Sequence, residues 1–405
     1  MFLKKAVQIG KARARQAILP KPAVPGARGL RNISPDAPLV VAGMFRTYNG
    51  IGRAAKLCYE ALVADGHAPL AVDLSETFFQ AEQPPSVPLS AMPRTRNGTL
   101  ILYANGPETQ RALIALGLRR WHNWTVIGSW AWELGVAPND WARAANHLSA
   151  IWAPSEFVRT AITPGPHKPV YRVPHHVALA DDIQRRQGRF HNPEHIVQIA
   201  ALADGRSSFK RKNVLGAAEI FRRAFPDDPD VRFNVKCRNL SMFPEYHQML
   251  RAMAAEDPRI QLIEGDLSEA DQQSFLFDND ILLSAHRAEG FGLTLAESMA
   301  AGRAVVATGW SGNIDFMTSE SAMLVPYKLV PVDDPAGAYI DYGHAKWAEP
   351  DIGEAVQMLR ALREQPELRA RMGHAARDTI AQTLPQSVYS QALGRLAAGT
   401  PAPAA

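Results

Sequence analysis

Several things are scarce in this chain of 405 residues. There are only two cysteines, Cys58 and Cys237, far apart and each in an apolar stretch. That excludes a disulfide-stapled scaffold and suits two buried thiols in a reducing cytosol. No uncharged apolar run approaches the roughly 18 residues needed to cross a bilayer. The N-terminus has lysines but no apolar block of about 7–15 residues behind them, so a secretory signal is not expected. The expectation is a cytoplasmic protein, at most peripheral at the inner face of the cell membrane. Internal repeats of fixed short period are absent, and so is any legible Ser/His/Asp or Cys/His arrangement.

Acid is missing from one place in particular. Residues 1–35 carry eight basic side chains and no acidic one, while the chain as a whole has 44 Lys plus Arg against 40 Asp plus Glu. The other 370 residues therefore hold 36 basic and 40 acidic groups, a net −4. The net +4 and basic pI belong to a tail, and a nucleic-acid-binding body is not expected. Wound as a helix, Met1–Leu19 places Leu3, Ala6, Val7, Ala14 and Ala17 on one face and Lys4, Lys11 and Arg15 on another. Such a segment suits an anionic membrane surface, at about 1 kcal/mol per basic residue. A solvated, disordered arm is the other reading, since Gly10 interrupts a mostly alanine face.

Length favours two domains, because a single core stops growing at about 250–300 residues. Apolar strand-like runs alternate with helical stretches, the pattern of open parallel α/β sheets. Strands are predicted at 38–45, 69–73, 99–103, 125–129, 150–153 and 170–173, with a glycine turn at Gly50-Ile51-Gly52 before a helix over 53–64. A polar, aperiodic stretch, 181–194, reads as a linker. A second series follows, with strands at 195–201, 231–237, 260–263, 281–284 and 304–307. Helices are predicted between them and at 352–364, 367–382 and 386–396. The division is thus a tail over 1–35, a first Rossmann-like domain over 36–180, the linker, a second over 195–383, and a terminal helix and tail over 384–405.

Chemistry concentrates at two places in the second series. In His286-Arg287-Ala288-Glu289-Gly290-Phe291-Gly292-Leu293-Thr294-Leu295-Ala296-Glu297 a strand ends, glycines permit a tight turn, and a helix starts. Open α/β sheets bind ligands at the carboxyl ends of their strands, and a helix start attracts phosphate. Glu289 and Glu297 are suited instead to accept hydrogen bonds from sugar hydroxyls. A phosphate between two polyhydroxylated ends describes a nucleotide sugar. A plain tight turn with Glu297 on a solvated face fits the same residues. The second place is Gly205-Arg206-Ser207-Ser208-Phe209-Lys210-Arg211-Lys212-Asn213, with four cations in seven residues. They suit a diphosphate and its stabilisation as a leaving group where a metal is otherwise needed; a solvated basic loop is the alternative.

The run Ala288–Glu297 resembles the E-x7-E signature of retaining family 4 glycosyltransferases, which have the GT-B fold. Arg303-Ala304-Val305-Val306-Ala307-Thr308-Gly309-Trp310-Ser311-Gly312-Asn313, Arg211-Lys212-Asn213 and the stretch from Trp130-Ala131-Trp132-Glu133-Leu134 to Ser155 continue the similarity, which spans about Val40 to Ile380. The resemblance implies two Rossmann-like doubly wound domains facing across a cleft, the first for acceptor and the second for donor. It assigns Glu289 to the donor sugar, Glu297 to the ribose, and Arg206 and Lys212 to the diphosphate. Backbone amides of Phe291, Gly292 and Leu293 would serve sugar and phosphate, Gly290 also belongs to the donor site, and Gly50 and Gly52 would approach the diphosphate from the first domain. Where many members carry a histidine near the sugar, the comparable loop here has Trp132-Glu133, assigned to the acceptor. Ala304 stands where the family usually has proline.

The expected activity is transfer of a glucose- or mannose-type hexose, with retention, from a UDP- or GDP-sugar to a glycan or lipid-linked acceptor in cell-surface polysaccharide or glycoconjugate synthesis. No cofactor and no metal are expected. The rival is a catalytically silent protein of the same fold that binds a nucleotide sugar or glycan as a sensor or scaffold. Other signals carry less. His175 and His176 point to opposite sides of a strand and have no third ligand at metal spacing. Gly50-Ile51-Gly52 lacks the third glycine of a dinucleotide fingerprint. Among the tryptophans of the first domain, Trp130 and Trp132 are candidates to stack on an acceptor sugar.

Overall fold

A computed structural model describes residues 37–117, 123–162, 168–179, 196–334, 339, 342 and 344–399. The basic tail, the linker expected at 181–194 and Trp121 lie outside these residues. The described chain divides into two compact units. One comprises residues up to Trp132, Val136–His176 and Gln386 onward, and the other comprises Glu133–Gly135 and Val177–Pro385.

The first unit is built on six parallel strands: β1 (Leu39–Gly43), β2 (Leu70–Asp73), β3 (Gly98–Tyr103), β4 (Trp124–Ser129), β5 (Ala150–Ala153) and β6 (Val170–Arg172). Their order is β2-β1-β3-β4-β5-β6, and every pairing is parallel. Helices α1 (Gly50–Ala64), α2 (Gly106–Leu116), α3 (Trp141–Ala145) and α4 (Glu156–Ile162) connect them. Strand residues alternate between two cores: Val40 and Ala42 join one, Val41 the other. A sheet covered on both faces explains why its strands read as unbroken apolar runs. Each fully buried aliphatic side chain contributes about 1.5–3 kcal/mol.

The second unit repeats the scheme with β7 (Val197–Asp204), β8 (Val231–Arg238), β9 (Ile260–Glu264), β10 (Ile281–Ser284), β11 (Ala304–Thr308) and β12 (Met323–Val325). Its order, β12-β11-β10-β7-β8-β9, is again wholly parallel. It carries α5 (Phe209–Lys212), α6 (Val214–Ala224), α7 (Pro244–Glu256), α8 (Glu269–Asp278), α9 (Leu293–Ala300), α10 (Ile352–Glu364) and α11 (Pro366–Thr383). The strand order switches direction between β7 and β10, and the crevice beyond the carboxyl ends of such a pair is where doubly wound sheets take ligands. The two doubly wound parallel sheets expected from the sequence are therefore present.

Three local features differ from the sequence reading. Gly50 and Gly52 lie inside the first turn of α1, because the Asn49 side chain caps that turn by accepting from Gly52 N at 2.9 Å. An antiparallel hairpin, β13 (Tyr327–Pro331) with β14 (Lys346–Pro350), was not anticipated. The last helix, α12 (Val388–Ala397), returns to the first unit, where Tyr389 stacks on Trp152 with ring centroids 6.2 Å apart. Both cysteines are buried and free, and burial pushes each thiol up to about 12. Among the described residues no helix is long and apolar enough to cross a membrane.

Candidate functional site

The loops that follow β7 and β10 meet at the crevice. After β7 the chain makes a short 3-10 turn, Gly205–Ser207, then α5. Ser208 (φ 67°) and Asn213 (φ 53°), the residues bounding α5, both adopt left-handed backbone. Non-glycine residues there are strained by about 1–3 kcal/mol, and such positions gather at functional sites. Side-chain bonds hold them: Ser208 Oγ accepts from Arg211 N at 3.1 Å, and Asn213 Nδ2 donates to the carbonyl of Ala285 at 2.9 Å. These two turns aim Arg211 and Lys212 inward.

The loop after β10 brings Glu289 to them. Lys212 Nζ lies 2.6 Å from Glu289 Oε1, and Arg211 NH1 lies 3.2 Å from Oε2. Arg211 also donates to the carbonyls of Ala288 at 2.6 Å and Ser207 at 3.0 Å. The Glu289 backbone is fixed as well. Its N–H donates to Ser311 Oγ at 2.7 Å, and its carbonyl accepts from Gly312 N at 2.9 Å. Gly312 has to be glycine, since a Cβ there would sit 2.2 Å from the carbonyl oxygen of Gly290. Gly292 caps α9 with φ 94°, so the helix start faces the same crevice. Phe291 packs on Phe316 at 5.0 Å beneath it. A small cleft is lined by Lys212, Glu289, Gly292, Thr294, Leu202 and Leu295, among others.

Electrostatics fix the charge states. Burial alone would raise the Glu289 carboxyl, but Lys212 and Arg211 outweigh it and hold it at about 2. Glu289 is therefore ionised throughout the physiological range. Burial works against the Arg211 charge, but Tyr339, Glu289 and Glu133 more than offset it and keep its pKa raised. His286 is fully buried, and burial pushes its imidazole down to about 4. It stays neutral beside Glu289, with neither ring nitrogen hydrogen-bonded among the described residues.

The residues expected at the site separate accordingly. Glu289, Lys212, Gly290, Phe291, Gly292 and Leu293 are brought together. Glu297 is half-buried in the second turn of α9. Arg206 is exposed on the 3-10 turn, its backbone N–H bound to Asp204 Oδ1 at 3.0 Å. Lys210 pairs with Asp333. Gly50 and Gly52 belong to the first unit. Of the tryptophans, Trp130 is fully buried with Nε1 donating to Thr109 Oγ1 at 3.0 Å, so it is core. Trp132 is half-buried, packs edge-on to Trp141 and donates to the Val136 carbonyl. Glu133, which clusters with the second unit, accepts from the Tyr339 hydroxyl at 2.8 Å. The sequence alone marks no individual role for Arg211, Ser311 or Tyr339. Arg211 stands there as one of four cations, indistinguishable from neighbours of the same charge.

The fold, two doubly wound parallel six-stranded sheets with helices, is the GT-B fold seen in solved glycosyltransferase structures. Residues 202–339, which hold the whole crevice, match the sequence profile of the family described as Glycosyl transferases group 1. No curated protein sequence matches the chain. Among solved structures, the Anabaena protein HepE in complex with UDP and glucose is 13% identical, with a TM-score of 0.58 over 89% of this chain and 98% of its own. Sucrose-phosphate synthase from Thermosynechococcus elongatus is 12% identical, with a TM-score of 0.60 over 89% and 98%. A TarM variant from S. aureus, bound to UDP, fondaparinux and alpha-GlcNAc-glycerol, is 13% identical with a TM-score of 0.55. That match covers 76% of this chain, which spans 56% of the TarM chain. Identities this low speak for the shared fold alone.

Proposed function

We propose that the protein is a retaining, metal-independent glycosyltransferase. In this reading it moves a glucose- or mannose-type hexose from a UDP- or GDP-sugar to a glycan or lipid-linked acceptor, in polysaccharide or glycoconjugate synthesis. The carrying observation is the ionised, buried Glu289 beside Lys212 at the carboxyl ends of β10 and β7. Cleaving a sugar–phosphate bond puts positive charge on the anomeric carbon and negative charge on the departing diphosphate. Lys212 and the start of α9 meet the second charge, and Arg206 lies on the same loop to add to it. Glu289 accepts from sugar hydroxyls and orients the donor, and Glu297 holds the ribose. The oxocarbenium-like character parallels glycoside hydrolysis, with the leaving phosphate on the attacking face in place of a carboxylate nucleophile. The basic segment 1–35 brings the enzyme to an anionic membrane surface and so to its acceptor.

A panel of UDP- and GDP-sugars in a thermal-shift assay tests the reading, since a ligand at 100 times its Kd adds about 2.7 kcal/mol. Lys212→Ala is expected to abolish the shift while keeping the fold; near-normal donor affinity in that variant rejects the diphosphate assignment. Donor hydrolysis by the wild type, undiminished in excess chelator, separates this enzyme from a silent sugar-nucleotide-binding protein.

A further inference from the structure

The hairpin β13–β14 is not needed to complete the parallel sheet, yet it reaches both loops of the crevice. Glu349 on β14 takes Arg287 in a two-pronged pair, Nε to Oε2 at 2.6 Å and NH2 to Oε1 at 2.8 Å. One residue earlier, Ala348 N donates to the Arg287 carbonyl at 2.8 Å. Arg287 passes this anchorage on. Its NH1 donates to the Lys210 carbonyl at 2.5 Å and its backbone N–H to the Arg211 carbonyl at 2.7 Å. Just beyond β13, Asp334 Oδ1 accepts from Ser208 Oγ at 2.9 Å, and Asp333 pairs with Lys210. The hairpin thus grips α5, which bears Arg211 and Lys212, and also the loop that bears Glu289 two residues after Arg287.

We infer that Arg287, locked by Glu349, is a positioning residue that sets the spacing between Lys212 and Glu289. The physical need is plain. A lysine has four rotatable bonds, and a 2.6 Å pair forms only if the two backbones that carry it are held in register. Among the described residues, Arg287 is the side chain that bonds the backbone of α5 while being fixed bidentately from a third element. The guanidinium also lies over the Trp347 ring, 5.8 Å from its centroid, which limits its swing. The Glu349 carboxylate bonds Arg287, whereas Lys212 and Glu289 bond each other, so its effect on them runs through Arg287. The inference rests on reading Lys212 and Glu289 as the donor-binding pair.

The test combines a coupling measurement with a binding measurement on the full chain. Lys212→Met, Glu289→Gln and their double variant are compared by urea unfolding in the wild-type background and again with Glu349→Ala. The two substitutions are expected to be non-additive in the first background and at least half-way to additive in the second. By calorimetry, Glu349→Ala is expected to weaken UDP about tenfold, and Glu349→Asp to restore most of it. If Glu349→Ala does not fold, Glu349→Gln, which keeps the side-chain shape, replaces it. A Glu349 variant that lowers the unfolding midpoint but leaves both the coupling and the UDP affinity unchanged overturns the inference, because the pair is then only structural. If the wild type binds neither UDP nor any UDP- or GDP-sugar, it is the functional reading that fails, and the coupling data still decide the positioning role.

Discussion

Replacing Glu289 by glutamine gives the sharpest check on the electrostatics of the crevice. The carboxyl is held at about 2, against an ordinary value of 4.5, by Lys212 and Arg211 acting against burial. Its folded-state pKa is depressed, so its contribution to stability is full above about pH 4.5 and is lost as pH falls toward 2. A depression of this size corresponds to about 3 kcal/mol, of which about 2 kcal/mol disappears between pH 6 and pH 3. At neutral pH the variant also strands Arg211, whose side chain is 3% exposed, without the carboxylate 3.2 Å from its NH1. The wild type should therefore be clearly more stable than Glu289→Gln at pH 6, and the gap should close on acidification. Other depressed carboxyls, at Asp65, Glu156, Asp257 and Glu264, are common to both proteins and cancel in the difference. Urea midpoints followed by tryptophan fluorescence at several pH values measure it. Parallel curves for the two proteins, or a gap that widens in acid, would refute the charge assignment.

Two further outcomes are expected. In Gly312→Ala the new methyl meets the Gly290 carbonyl at 2.2 Å, with backbone on both sides and nothing soft to yield. A loss of about 1–3 kcal/mol with weakened UDP binding is expected, and an unchanged melting temperature would disprove the close approach. Deleting residues 1–35 should leave UDP binding intact and reduce sedimentation with anionic vesicles; sedimentation equal to that of the full chain would mean the basic segment is a solvated arm.

The parallel sheets were legible because strands buried on both faces appear as short apolar runs, as in Ile281–Ser284 and Ala304–Thr308. The glycines around Glu289 were legible for a related reason, since a turn this tight excludes side chains. The hairpin was not. Tyr327, Lys328, Leu329 and Pro331 are exposed, so no alternation marks them, and a proline closes the strand. Nor could charge alone show which cations of 206–212 turn inward. That choice is made by two left-handed residues, and the serine of the pair gives no local hint of such a conformation. The resemblance directed attention to Arg206 and Lys212, and a buried Arg211 between a carboxylate and two carbonyls became visible only in three dimensions.

The return of α12 to the first unit has a consequence for how the protein is made. Tyr389, Ala392, Leu393 and Leu396 are part of the core that backs β1, β3 and β5, and Asp65 at the end of α1 accepts from Gln386 and Ser390. A ribosome delivers these residues after the entire second unit. The first unit must therefore wait, with an uncovered apolar face, until the second unit has been translated. A premature stop near residue 385 would harm the first unit more than the second, which ends there.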